Sequence, residues 1–138
     1  MTANGVGIEA ATLMAALITS QGADGGSAHR SVRIVRDAHR FMESNLDQRC
    51  SVPAVAAEVG VSRRSLENAF RRCTGVSPAR FWRTLRLNNM RRLLETGRYR
   101  VTEAAHASGL THLGRMSADY RDLFDELPSV TAERSWVA

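Results

Sequence analysis

SRRSLENAFRRCTGVSP, Ser62 to Pro78, is the stretch whose reading decides the fold. Ser62 has the side chain of an N-cap, Leu66, Ala69, Phe70 and Cys73 recur at helical spacing, and Gly75 supplies a stop, which predicts a helix ending at Thr74. Arg63, Arg64, Glu67, Asn68, Arg71 and Arg72 then share the outward face. Upstream, Ser51 caps and Pro53 fits the first turn of a short helix to about Val59, and Gly60 breaks it. A short helix, a glycine turn and a capped helix with a charged face make a helix-turn-helix. Downstream, Ser77 and Pro78 open a helix to about Thr96, with Phe81, Trp82, Leu85, Leu87, Met90, Leu93 and Leu94 as its apolar residues. That spacing makes Phe81 and Trp82 core residues rather than base-stacking platforms.

The punctuation recurs. Ala56, Gly60, Phe70 and Pro78 are matched by Ala105, Gly109, Tyr120 and Pro128, an offset of 49 to 50 residues. Gly97 ends the middle helix, Val101 to Ser108 repeats the short helix, and Leu113 or Met116 with Tyr120, Leu123 and Phe124 forms the inward face of the last helix before Pro128. The second copy has one extra residue after its glycine. At about 1.5 Å per residue the middle helix spans about 28 Å, close to the roughly 34 Å between turns of a DNA major groove. Two reading helices in one chain are therefore expected to address adjacent grooves.

Charge separates the copies. The chain has 138 residues, 43% of them apolar, and a formal charge of +5; all 19 basic residues are Arg. Residues 60 to 100 hold 11 Arg against Glu67 and Glu95, whereas residues 101 to 138 hold 3 Arg against 6 acids. The first half is expected to bind a polyanion and the second only weakly.

The remainder sets limits. No apolar stretch approaches a membrane span and none has the basic flank of a signal peptide, which predicts a cytoplasmic protein with no membrane partner. Cys50 and Cys73 lack the company of a metal site and are expected to be structural thiols. His39, His106 and His112 form no catalytic constellation, and no phosphate loop is present; no enzyme activity, cofactor or metal is expected. Ala10, Leu13, Met14, Leu17 and Ile18 fit a short helix, residues 20 to 31 read as a flexible linker, and the ordered domain is expected over 32 to 130 with a tail at 131 to 138. Ile34, Val35, Ala38, Phe41 and Met42 predict an amphipathic helix packed over the first repeat.

From Val32 to Pro128 the chain resembles the DNA-binding domain of AraC/XylS-type bacterial transcription regulators. The marks are S-x-x-x-L-x-x-x-F-R-x-x-x-G-x-S-P at Ser62 to Pro78, R-L-x-x-x-R-x-L-L at Arg86 to Leu94, and A-x-x-x-G-L at Ala105 to Leu110. The resemblance implies an all-α fold of about seven helices, two helix-turn-helix units joined by a long linker helix. It also implies that residues 8 to 19 and the linker are the tail of a preceding sensor region, leaving no small-molecule ligand here. Asp125 stands where the family commonly has Gly, Met116 where Phe is usual, Met90 where a small residue is usual, and Ala118 where the second reading helix commonly has a basic residue.

Carried over by motif, base reading in the first unit falls on Arg64, Glu67 and Asn68, with Arg63 beside them, and in the second on His112, Arg115 and Ser117. The chemistry is coherent, because Arg pairs with guanine, Asn with adenine, and Glu accepts from cytosine. Arg71, Arg72, Arg83, Arg86, Arg98 and Arg100 are the expected phosphate contacts, with a structural role as the alternative for Arg86. The implied function is sequence-specific binding of double-stranded DNA at a promoter or operator, the first unit dominant, with RNA polymerase as partner and the bacterial nucleoid as its place in the cytoplasm. Two other classes stay open at this point: a protein-interaction module using the acidic second unit, and a low-specificity DNA-coating protein.

Overall fold

A computed structural model of the chain describes residues 25 to 48 and 51 to 136. Among them are seven helices and no strand: α1 Gly25–Ser44, α2 Val52–Val59, α3 Arg63–Thr74, α4 Pro78–Glu95, α5 Val101–Ala107, α6 Leu113–Phe124 and α7 Pro128–Ser135. They fall into two compact units, residues 25 to 45 with 51 to 83, and residues 46 to 48 with 84 to 136. α4 contributes its first turns to one and the rest to the other.

Local chemistry sets the ends of the elements in the first unit. Ser51 Oγ accepts from the Ala54 amide at 3.3 Å, and Ser62 Oγ accepts from Ser65 at 3.0 Å. Gly60, at φ +84°, closes α2 by donating to the Ala56 carbonyl at 2.9 Å. Gly75 closes α3 in the same left-handed conformation, at φ +78°. α1 packs on α2 and α3, burying Val35, Ala38 and Met42 with Val55, Leu66 and Phe70. Phe70 and Phe81 meet edge to face with centroids 5.2 Å apart, and His39 meets Phe81 at 5.8 Å. Burial holds the His39 imidazole below its ordinary pKa, against the opposing pull of Glu43.

The second unit repeats the plan with different caps. The Arg100 amide donates to Glu103 Oε1 at 2.9 Å to start α5, and Asn89 Nδ2 donates to the buried Ser108 hydroxyl at 3.0 Å where α5 stops. Asp125 ends α6 at φ +64°, donating to the Arg121 carbonyl at 2.8 Å. It does the work of the expected glycine, because a short polar side chain tolerates the left-handed region. The core gathers Leu87, Met90 and Leu94 of α4, Ala104 and Ala105 of α5, and Met116, Tyr120, Leu123 and Phe124 of α6.

Two expected boundaries differ. α1 begins at Gly25, so residues 25 to 31 are helical rather than linker, and the short helix expected near residues 8 to 18 lies outside the described residues. Residues 131 to 135, expected as tail, belong to α7, whose Thr131 is fully buried. Tyr120 donates to Thr131 Oγ1 at 2.8 Å, Thr131 donates to Glu126 Oε2, and Arg134 donates to both Glu126 oxygens at 2.9 Å. This chain of bonds ties α7 to α6 through a buried phenol.

The same network predicts an acid response. The Arg134 hydrogen bonds, opposed by burial and assisted by Thr131 and the Arg91 charge, pull Glu126 from near 4.5 to about 2. A carboxylate with a depressed folded pKa stabilises fully above its unfolded pKa, and that contribution fades as pH falls through the folded value. The Tm gap between the wild type and Glu126→Gln is therefore expected to be full at neutral pH and to close between about pH 4.5 and pH 2. A gap that stays constant across that window would contradict the assignment.

Candidate nucleic-acid interface

α3 divides cleanly. Leu66, Ala69 and Phe70 are buried, while Arg63, Arg64, Asn68, Arg71 and Arg72 are exposed and Glu67 is half-exposed. All six outward residues expected from the sequence therefore stand along one helix. Arg63 Nε lies 3.3 Å from Glu67 Oε2, an i, i+4 pair with both partners accessible. Such a pair contributes at most about 1 kcal/mol, so either side chain can exchange it for a base edge. Arg71 and Arg72 sit in the last turn, where cations favour the helix dipole.

A cleft of about 230 Å³ opens beside this face, lined by Arg30, Ser31 and Ile34 of α1 and Ser65, Asn68, Ala69 and Arg72 of α3. It adds Arg30, which the sequence reading did not assign because it lay in the supposed linker. Charge and hydroxyls there suit a backbone phosphate flanking the reading helix.

The expected phosphate set is spread over both units. Arg98 and Arg100 are exposed in the second unit, and Arg83 is half-buried in the first. Arg86 makes the contacts of its structural alternative. Its Nε donates to the Leu46 carbonyl at 3.1 Å and its Nη2 to the Gln48 carbonyl at 2.8 Å, which fastens residues 46 to 48 onto the second unit. A guanidinium spent on two carbonyls is poorly placed to neutralise a phosphate.

α6 matches α3 in length, and both end on a left-handed residue, which sets the register. Arg63, Arg64, Glu67 and Asn68 correspond to Leu113, Gly114, Ser117 and Ala118. Of the expected second-unit readers only Ser117 occupies an equivalent position; His112 takes the place of the Ser62 cap and Arg115 that of Ser65. Both remain exposed in or beside the first turn, and Arg115 lies 3.9 Å from Asp119. Leu113, one alternative for the inward face, is 45% exposed, and Met116 is the residue that packs. α3 carries four Arg and one Glu, α6 two Arg and two Asp, so the net positive field belongs to α3.

Among the described residues, no three His, Cys, Asp or Glu side chains are grouped so as to hold a metal ion, and no helix is long and apolar enough to cross a membrane. Cys73 is a half-buried free thiol whose pKa burial raises, which leaves it a poor nucleophile. Cys50 lies outside the described residues.

This geometry has known counterparts. The family model described as "Helix-turn-helix domain" matches residues 55–134. The chain is 37% identical over 95 residues to the XylDLEGF operon transcriptional activator of Pseudomonas putida, an alignment covering 67% of this chain and 30% of that protein. Among solved structures, a probable AraC family transcriptional regulator from Rhodopseudomonas palustris CGA009 superposes with a TM-score of 0.69 at 36% identity, over 74% of this chain and 96% of that one. A transcriptional regulator of the AraC-type DNA-binding class from Chromobacterium violaceum gives 0.70 at 30% identity, over 74% and 91%.

Proposed function

The chain belongs to the AraC family of helix-turn-helix transcription regulators, and from that premise we propose that it binds a specific double-stranded DNA site chiefly through α3. In this reading α3 enters a major groove, Arg63, Arg64, Glu67 and Asn68 meet base edges, and Arg71, Arg72 and Arg30 hold the flanking phosphates. α6 addresses a second stretch of groove with less charge. The observation that carries the proposal is the outward face of α3, where four arginines and Asn68 stand exposed on a helix capped and turned as a helix-turn-helix requires.

The chain spans 30% of the length of the Pseudomonas putida activator, so activation of transcription is proposed rather than inherited. RNA polymerase is the partner such a DNA-bound domain would contact. Asp122, Asp125 and Glu133 are exposed within residues 101 to 138, where 6 acids outnumber 3 Arg, and offer such a partner acidic contacts.

Competition binding at physiological salt tests the proposal. A specific regulator should prefer its selected site over random duplex by roughly 10³-fold or more. A preference near unity would indicate general DNA coating, and no measurable affinity would indicate a protein-interaction module.

A further inference from the structure

The residues of α6 that stand where α3 has its polar readers are Leu113, Gly114, Ser117 and Ala118, and none of them is charged. Leu113 is 45% exposed, and Gly114 and Ala118 are exposed beside it. A lone exposed leucine means little on a protein surface. This one occupies the first turn of a reading helix, the part that meets base edges in this class of motif. Gly114 sharpens the point, since a Cβ built there would meet nothing within 4 Å. Packing does not require the glycine, so its effect is to leave the helix surface bare where a base edge would approach. The bidentate pairings with guanine and adenine and the carboxylate acceptor for cytosine are absent from these four positions, where Ser117 is the one hydrogen-bonding side chain, whereas the thymine C5-methyl is read by apolar contact.

We propose that the second unit is a thymine-methyl reader, in which Leu113 and Ala118 pack against C5-methyl groups in the major groove, with Gly114 permitting the approach. The inference rests on the DNA-binding reading above. It turns a face that looks deficient in charge into one with its own specificity. Arg121, exposed farther along α6, supplies positive charge at the opposite end of that helix.

The test uses the whole chain and a duplex site selected by it from random sequence, with each thymine replaced singly by deoxyuridine. That change deletes one methyl and leaves every hydrogen-bonding group in place. One or two substitutions should weaken binding by about fourfold, the transfer value of a single buried methyl. At a methyl contacted by Leu113, the effect should vanish in Leu113→Ala and in Leu113→Arg. The latter introduces the charge that Arg63 carries at the equivalent position of α3, so lost methyl sensitivity is read apart from lost side-chain bulk. Ala118→Gly should do the same at a neighbouring thymine. Uniform insensitivity to deoxyuridine, or sensitivity that persists in all three variants, would overturn the inference while leaving DNA binding intact. Failure of the wild-type chain to enrich any site would instead remove the DNA-binding reading on which it rests.

Discussion

Gly109→Ala is expected to cost the domain more than about 3 kcal/mol, while Gly60→Ala at the equivalent turn of the first unit costs about 1 to 2 kcal/mol. The two glycines have nearly the same backbone, φ +80° and φ +84°, so the left-handed penalty is common to both. Their surroundings differ. A Cβ on Gly60 meets nothing within 4 Å, whereas one on Gly109 would overlap the Leu46 carbonyl oxygen and stand 3.0 Å from Arg86 Nε. Relief would require moving the 46 to 48 backbone that Arg86 fastens through two hydrogen bonds. A third or more of a typical domain's margin would be lost. Equilibrium denaturation of both variants measures the difference, and equal losses would show that the close approach at Gly109 carries no energy.

That contrast marks the line between what the sequence made legible and what it did not. Ser51, Gly60, Ser62 and Gly75 act on backbone groups within four residues, so their caps and turns could be read from spacing, and the helices from α2 to α6 stand close to their expected bounds. The Gly109 approach, the Arg86 clasp and the Tyr120–Thr131–Glu126–Arg134 chain join residues far apart, and no local pattern announces them. Residues 25 to 31 have a linker's composition, yet they extend a helix whose buried Val32, Val35 and Ala38 pack on the first unit, and tertiary burial outweighs weak propensity. Leu113 escaped for a related reason. Helical periodicity assigns a face but not the point where the packing partner ends, and Leu113 lies in the first turn, 45% exposed. The outward residues of α3 were legible because charge on a capped, amphipathic helix faces away from the core. Their positional equivalents on α6 required the register that the helix bounds supply.

Arg64→Ala and Asn68→Ala are each expected to lower affinity for the selected site by about 1 to 3 kcal/mol, roughly 5- to 150-fold, while changing affinity for random duplex little. Arg64 is an exposed fork donor suited to guanine O6 and N7, and Asn68, one turn on, has the amide that pairs with adenine N6 and N7. Loss of either removes discrimination at one base pair. Arg72→Ala provides the contrast, because a phosphate contact carries no sequence information. It should weaken binding to all duplexes alike and flatten the salt dependence by about one unit of slope. Competition titrations at two or more salt concentrations separate these behaviours. Equal loss on selected and random DNA for Arg64→Ala would move that residue into the phosphate-binding set.

The central claim is that the first unit is the principal reader of guanine and adenine, and guanine N7 methylation interference on the selected site tests it most directly. Interference is expected in a single stretch of major groove, and interference at one guanine within it should disappear in Arg64→Ala. Equal interference in two stretches one helical turn apart, unchanged by Arg64→Ala, would contradict the account.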